Sequence, residues 1–213
     1  MAENSIDEPK RIEGKKLSPA IHREQNWECQ NWTPDFEIED VWQFPVEMES
    51  THTFSEFHEV FGNALAETQT KGFAGVLFSI RTSIGKLFGW DKEPNNPELL
   101  PEKSLRKRYA DAHGLEGKDL LPPGAEAFKP VYQLENESFS EIENSTVHAG
   151  IHLGKVPIGN GKFTVHLTVY NQPKGGFGRI YMAAISPFRL WIVYPSMLKL
   201  VGKAWKKHLL AKG

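Results

Sequence analysis

Three histidines open the chemical reading of this chain. His148 and His152 stand four apart in STVHAGIHL, and His166 sits in KFTVHLTVYN. On an extended strand, side chains four apart share a face. Folding the two segments about PIGNG (157–161) sets His166 opposite the intervening Gly150, with Thr164 and Thr168 beside it. Three imidazoles on one patch can hold zinc and leave a fourth position open. A single imidazole with a shifted pKa can serve as general acid or base. The simpler reading is a polar stripe facing solvent on a half-buried sheet. That stripe is the expectation, and no metal and no cofactor are expected.

Other groups have chemistry of their own. Arg81 lies at the edge of an apolar helical stripe, where a guanidinium needs a carboxylate, a ligand anion or a route to solvent. Arg189 follows Ser186-Pro187, which reads as a helix cap and first turn. Together with the N–H groups of that turn it can bind a carboxylate or phosphate; the alternative is a salt bridge to an acidic part of the chain. Glu135, Glu137, Glu141 and Glu143 fall within nine residues. Paired carboxylates can do acid–base work, but on exposed strands they are expected as surface charge. PKGGFGR (173–179) is neither a phosphate-binding loop of the Walker type nor a dinucleotide fingerprint.

The elements that position these groups follow from periodicity. Residues 1–17 read as a flexible arm and 18–213 as one domain. Residues 36–44 give a first strand bounded by prolines. Phe54, Phe57, Phe61 and Leu65 recur at helical spacing over about 54–69, with Thr53 or Ser55 as cap. A second apolar stripe predicts a helix over 73–88, and PEKSLRKRYAD (101–111) a short one. From Phe128 the period becomes two, predicting consecutive antiparallel strands: FKPVYQL, SFSEIEN, STVHAGIHL and KFTVHLTVYN, then a short fifth, RIYMAAI. A long helix from Ser186 carries Phe188, Trp191, Leu198, Val201, Trp205 and Leu209 on one face, and Pro195 should bend it. The predicted class is α+β: a curved antiparallel sheet packed on a long C-terminal helix, in a helix-grip arrangement.

The chain has 213 residues, 39% hydrophobic, 11% aromatic and 24% charged, in keeping with one large folded domain. No apolar stretch is long enough for a transmembrane helix, and the polar N-terminus does not read as a secretory signal. The single cysteine, Cys29, permits no internal disulfide, so a reducing cytoplasm is the expected compartment. Charge is sharply divided. Residues 144–213 hold ten Lys or Arg and no Asp or Glu, whereas residues 1–143 hold fifteen bases and twenty-seven acids. The basic part should meet the acidic part of its own chain, or else an anionic ligand or membrane surface. No nucleic-acid module is recognisable.

Longer motifs carry a resemblance. DVW (40–42), LFGWD (87–91), PVYQLENE (130–137), ENSTVHAGIHLG (143–154), YMAAISPFRLWIVYP (181–195) and the late Trp205 resemble a bacterial family of unknown function, whose members occur alone or behind a short-chain dehydrogenase-like domain. The resemblance implies an α+β fold related to the START-like helix-grip superfamily and implies no reaction. No dehydrogenase-like stretch is read in these 213 residues, so no cofactor role of such a domain is expected to carry over.

The expected function is binding of a small hydrophobic or amphipathic molecule in a cavity between sheet and C-terminal helix. Trp42, Trp90, Tyr132, Tyr170, Tyr181 and Trp191 would line it, and Arg81 or Arg189 would hold an acidic end. The alternative is an enzyme in the same cavity, a cyclase, isomerase or hydrolase, with His148, His152, Tyr181 and Arg81 as candidates. A third reading is weak contact of the basic C-terminal helix with an anionic membrane. The sequence fixes no oligomeric state.

Overall fold

Alternating apolar and polar residues from Lys129 onward build the centre of the molecule. The structure, a computed structural model, describes residues 12–69, 104–115, 129–143, 147–173 and 175–212. The helix expected over 73–88, with Arg81 and the nearby Trp90, lies outside these residues. In chain order the elements are β1 (Lys15–Leu17), α1 (Pro19–Arg23), a 3-10 turn (Glu28–Asn31), β2 (Glu37–Gln43), α2 (Phe54–Gln69), α3 (Leu105–His113), β3 (Lys129–Gln133), β4 (Glu137–Glu143), β5 (Val147–Gly159), β6 (Lys162–Pro173), α4 (Gly175–Phe188), a π turn (Arg189–Val193) and α5 (Tyr194–Lys212).

The strands form one antiparallel six-stranded open sheet in the order β1-β2-β6-β5-β4-β3. Its spine is the β5–β6 hairpin, closed at Asn160 and Gly161, which take φ of 52° and 69°. Two successive positive φ angles define the tight turn that suits strand twist. Because the turn lies here rather than being centred earlier, Gly150 faces Tyr170 and His166 faces Gly154. The expected register is therefore four residues out. An even displacement keeps every side chain on its expected face.

One face carries the main apolar core. Leu153, Val165 and Leu167 from the hairpin and Trp42 and Phe44 from the β2 side pack with Phe54 and Phe57 of α2 and with Leu198, Val201 and Trp205 of α5. α2 runs over the residues its periodicity predicts, and Thr53 Oγ1 accepts from Glu56 N at 3.1 Å as its cap. The C-terminal helix thus covers the sheet as expected.

Four local expectations change. RIYMAAI (179–185) is part of α4 and not a fifth strand of the hairpin series. The helix does not start at Ser186; it begins at Gly175 and continues through Pro187. Within it the π turn hands Tyr194 N–H to Arg189 O, a five-residue step. That step shifts the phase of the helix just before Pro195, which has no N–H to offer. The phase shift also turns Trp191 outward, 78% exposed, although the spacing sets it on the buried stripe. Finally, Lys15–Leu17 pair with β2, so the arm expected over 1–17 ends in a strand.

Candidate functional site

The second face of the sheet is also covered, and this reverses the reading of the histidines. The chain from Ser18 to Phe36 and helix α3 lie over it, contributing Trp27, Cys29, Trp32, Phe36, Leu105 and Tyr109 to a second core with Val131, Tyr132, Phe139, Val156 and Tyr170. His148, His152 and His166 are 2%, 0% and 5% exposed. They do not face solvent. Glu137 and Glu141, expected as surface charge, are 7% and 0% exposed. Two glycines make room for the cover. A Cβ at Gly150 would run into the Phe139 ring, and one at Gly154 would meet the Trp27 ring at 2.6 Å.

Local sequence explains how the cover is held. Ser18 Oγ accepts from Ala20 N at 3.3 Å and Pro19 opens α1, which carries the buried His22. Thr33 Oγ1 donates to Cys29 O at 2.7 Å, closing the 3-10 turn. α3 begins at Leu105, later than the expected 101, with Ser104 as cap. Its N-terminus is anchored by Glu141 on the sheet. The carboxylate accepts from Ser104 Oγ at 2.8 Å, Leu105 N at 2.7 Å and Arg106 N at 3.3 Å, and lies 3.2 Å from His148 Nε2. Burial pushes the Glu141 carboxyl up, but these bonds outweigh it and hold it below the usual range.

Beside this anchor lies a continuous buried polar network. Glu137 accepts from Glu28 N at 3.0 Å and from Tyr132 Oη at 2.7 Å, and sits 2.9 Å from His152 Nε2. Tyr170 Oη lies 3.3 Å from Cys29 Sγ and 2.7 Å from His22 Nε2, whose Nδ1 is 2.9 Å from Thr168 Oγ1. The His152 ring is 4.8 Å from that of Trp27 and 5.0 Å from that of His22. His152 Nδ1 and the indole nitrogens of Trp27 and Trp32 are buried without a hydrogen-bond partner.

Burial sets the protonation of the network. It lowers His22 to about 3 and His166 to about 4, with neighbouring histidines adding to the effect. His152 is lowered by burial despite the opposing pull of Glu137. Burial pushes the Glu137 carboxyl up, but the hydrogen bond and charge of His152 and the bonds from Glu28 N and Tyr132 leave it below the usual range. Burial pushes the Cys29 thiol up to about 12, so at neutral pH it is a thiol and not a nucleophilic thiolate. Tyr132 and Tyr170 are raised by burial, with neighbouring Cys29 and Glu137 adding to it.

The residues expected to share one cavity are divided by the sheet. Tyr132 and Tyr170 join His148 and His152 on the second face. Trp42 lies in the main core, its ring 5.0 Å from that of Tyr194. Trp191 points outward. Tyr181 lies in α4. Arg189 is engaged by β2, at 2.7 Å from Glu39 Oε1 and 3.1 Å from Asp40 Oδ2. Sequence reasoning passes over His22 and Cys29 as chemical groups and sets Glu137 among surface charges. Glu137 shares the strand face of Phe139, but alternation alone does not tell that this face is covered. His22 and Cys29 lie in aperiodic chain, where spacing gives no signal.

An α+β domain results, with an open antiparallel sheet dividing an apolar core from a polar one. The family model described as a protein of unknown function (DUF2867) matches residues 32–196, and the chain belongs to that family. The match takes in Tyr132, Glu137, His152 and Tyr170, while His22 and Cys29 precede it. No curated protein and no solved structure matches the chain. Among the described residues, no helix is long and apolar enough to cross a membrane.

Proposed function

We propose that this chain is a bacterial, cytoplasmic, START-like domain that binds a small amphipathic molecule at the polar core beneath residues 18–36. The observation that carries the reading is the set of orphaned groups there. The indole N–H of Trp27 and the free lone pair of His152 Nδ1 are buried on neighbouring rings, 4.8 Å between centroids, and the indole N–H of Trp32 is buried in the same core beside Phe139. A buried polar group without a partner costs about 1–3 kcal/mol, and clustered ones are places where a ligand supplies the missing bond. A hydroxyl or carboxylic acid both accepts from an indole N–H and donates to an imidazole nitrogen. The surrounding Phe139, Tyr109 and Tyr132 rings suit an apolar body. On this reading the site is on the face opposite the C-terminal helix, where the polar handles are.

Native mass spectrometry of the full chain tests this, followed by thermal-shift titration with the co-purified compound or with a fatty-acid and phenolic-acid panel. A bound small molecule in the wild type, lost in Trp27→Phe and His152→Phe, is the expected outcome. A ligand that survives both substitutions, or none from any source, refutes it. A second reading is favoured by the Glu137–His152 pair: the same site as an acid–base enzyme of isomerase, cyclase or hydrolase type. In that case Glu137→Gln would leave ligand binding intact and abolish turnover of the bound compound.

A further inference from the structure

Cys29, Glu137 and His152 arrive from three separate elements, the 3-10 turn, β4 and β5. Each presents a metal-ligating atom, and the three atoms all lie within 4.8 Å of one another in a buried setting. We propose that they form a binding site for a borderline transition-metal cation of the zinc type. This departs from the sequence-based expectation of no metal; of the three strand histidines weighed there, the present set includes only His152.

Several observations converge on this assignment. Thiolate, imidazole and carboxylate are the ligand types that zinc takes, at about 2.3, 2.0–2.1 and 2.0–2.2 Å. Tetrahedral ligands at those lengths stand roughly 3.5 Å apart, and the three atoms, none more than 4.8 Å from another, reach that spacing with adjustments of about an ångström. The ligand side chains are already oriented by neighbours. Glu28 N and Tyr132 Oη hold the two Glu137 oxygens, and Thr33 fixes the turn that carries Cys29. Such outer contacts are a regular part of metal sites. Tyr170 Oη, 3.3 Å from Cys29 Sγ, and Tyr132 Oη, 2.7 Å from Glu137 Oε2, stand beside the fourth position, which water can also fill.

Charge gives a separate argument. Among the described residues, the ion pair that Glu137 makes is with His152, and no Lys or Arg pairs with it. Hydrogen bonds from Glu28 N and Tyr132 Oη already favour its carboxylate form, and a bound cation would add an opposite charge. A divalent ion bound by one thiolate and one carboxylate leaves the site neutral. Binding releases the thiol proton of Cys29 to solvent, and no electron transfer is involved. The inference rests on the polar core being the functional site, but not on an organic ligand being bound there.

The test uses the full chain without a histidine tag. Elemental analysis of the purified protein is expected to give one zinc per chain. After chelator treatment, titration with Co2+ alone is expected to give a thiolate-to-cobalt charge-transfer band that saturates at one equivalent and is bleached by zinc. Cys29→Ser should abolish the band, and Glu137→Gln should weaken cobalt affinity roughly tenfold or more, with far-ultraviolet dichroism confirming folded variants. Wild-type protein that is folded yet shows neither stoichiometric metal nor the band overturns the proposal, as does a band that persists in folded Cys29→Ser. The metal-free wild-type result needs no variant to be folded. Co-purified organic ligand without a cobalt band would refute the metal and leave the binding function standing; a band without organic ligand would do the reverse.

Discussion

Replacing Glu141 by Gln should unfasten α3 from the sheet at almost unchanged volume. The carboxylate is fully buried and receives Ser104 Oγ, Leu105 N and Arg106 N at 2.8, 2.7 and 3.3 Å. Hydrogen bonds to a charged group contribute about 1.5–3 kcal/mol each, and a negative charge at a helix N-terminus about 0.3–1, rising to about 2 when partly buried. Against this, the wild type bears several kcal/mol for desolvating the charge. Gln keeps one acceptor oxygen but turns an NH2 group toward a backbone N–H. The net loss should be about 2–4 kcal/mol, or a fall in Tm of about 5–15 °C for a chain of this size.

The pH dependence identifies the cause of that loss. The folded-state pKa of Glu141 is depressed below its unfolded value. Its contribution is therefore complete above the unfolded value of about 4.3 and disappears as pH falls through the folded value. Urea denaturation at pH 7 should show the full gap between wild type and Glu141→Gln, and the gap should close below about pH 4. Glu59→Gln, on the exposed face of α2, should stay within about 0.5 kcal/mol. A gap under about 0.5 kcal/mol at pH 7, or one that persists unchanged into acid, would refute the reasoning.

Burial, charge and space set the other expected outcomes. Trp205→Ala should cost about 3–5 kcal/mol in thermal melts, because the side chain is 1% exposed and its Nε1 donates to Glu47 O at 2.9 Å. Trp191→Ala should be nearly silent, and equal effects would mean that the helix phase is wrong. Raising salt should lower Tm gradually, by a few degrees in all, since Arg189, Lys162 and Lys212 of the basic part pair with Glu39, Glu47 and Glu56 of the acidic part; a rise in Tm would mean that self-repulsion dominates. Gly150→Ala should cost about 1–3 kcal/mol by driving a methyl into Phe139. Gly62→Ala, with open space around the added carbon, should stabilise α2 by about 0.5–1 kcal/mol; matching signs would contradict the close approach at Gly150.

Elements with strict periodicity were legible in the sequence. The Phe54-Phe57-Phe61-Leu65 spacing marks α2, and the alternation through His148–Leu153 and Phe163–Val169 separates the two faces correctly even though the pairing is displaced. What the pattern does not carry is whether a polar face is covered. His152 and Glu137 alternate just as solvent-facing residues do, and the chain that buries them, around His22 to Trp32, has no period to announce that it packs. Ser186-Pro187 reads as a helix start because cap chemistry is local. The helix in fact runs on from α4, whose glycine-rich first turn reads as a loop and so conceals the true beginning. The single cysteine gives compartment information in the sequence; its neighbours become visible only when β4, β5 and the 3-10 turn are brought together.

The open sheet has two margins, and both are built to discourage other chains. At one, β3 carries Pro130, which cannot donate to a ladder, and a bulge before Tyr132. At the other, β1 is only three residues long and exposes Lys15 and Lys16, with Lys16 2.8 Å from the buried Asp40. Removing the chain through Leu17 would strip this guard from β2, leave Asp40 with Arg189 as its remaining cation, and present seven residues of extended backbone, EIEDVWQ, as a template. The short N-terminal strand, which adds little to either core, is in this respect a brake on self-association: a chain shortened by those residues should remain folded and begin to polymerise edge to edge.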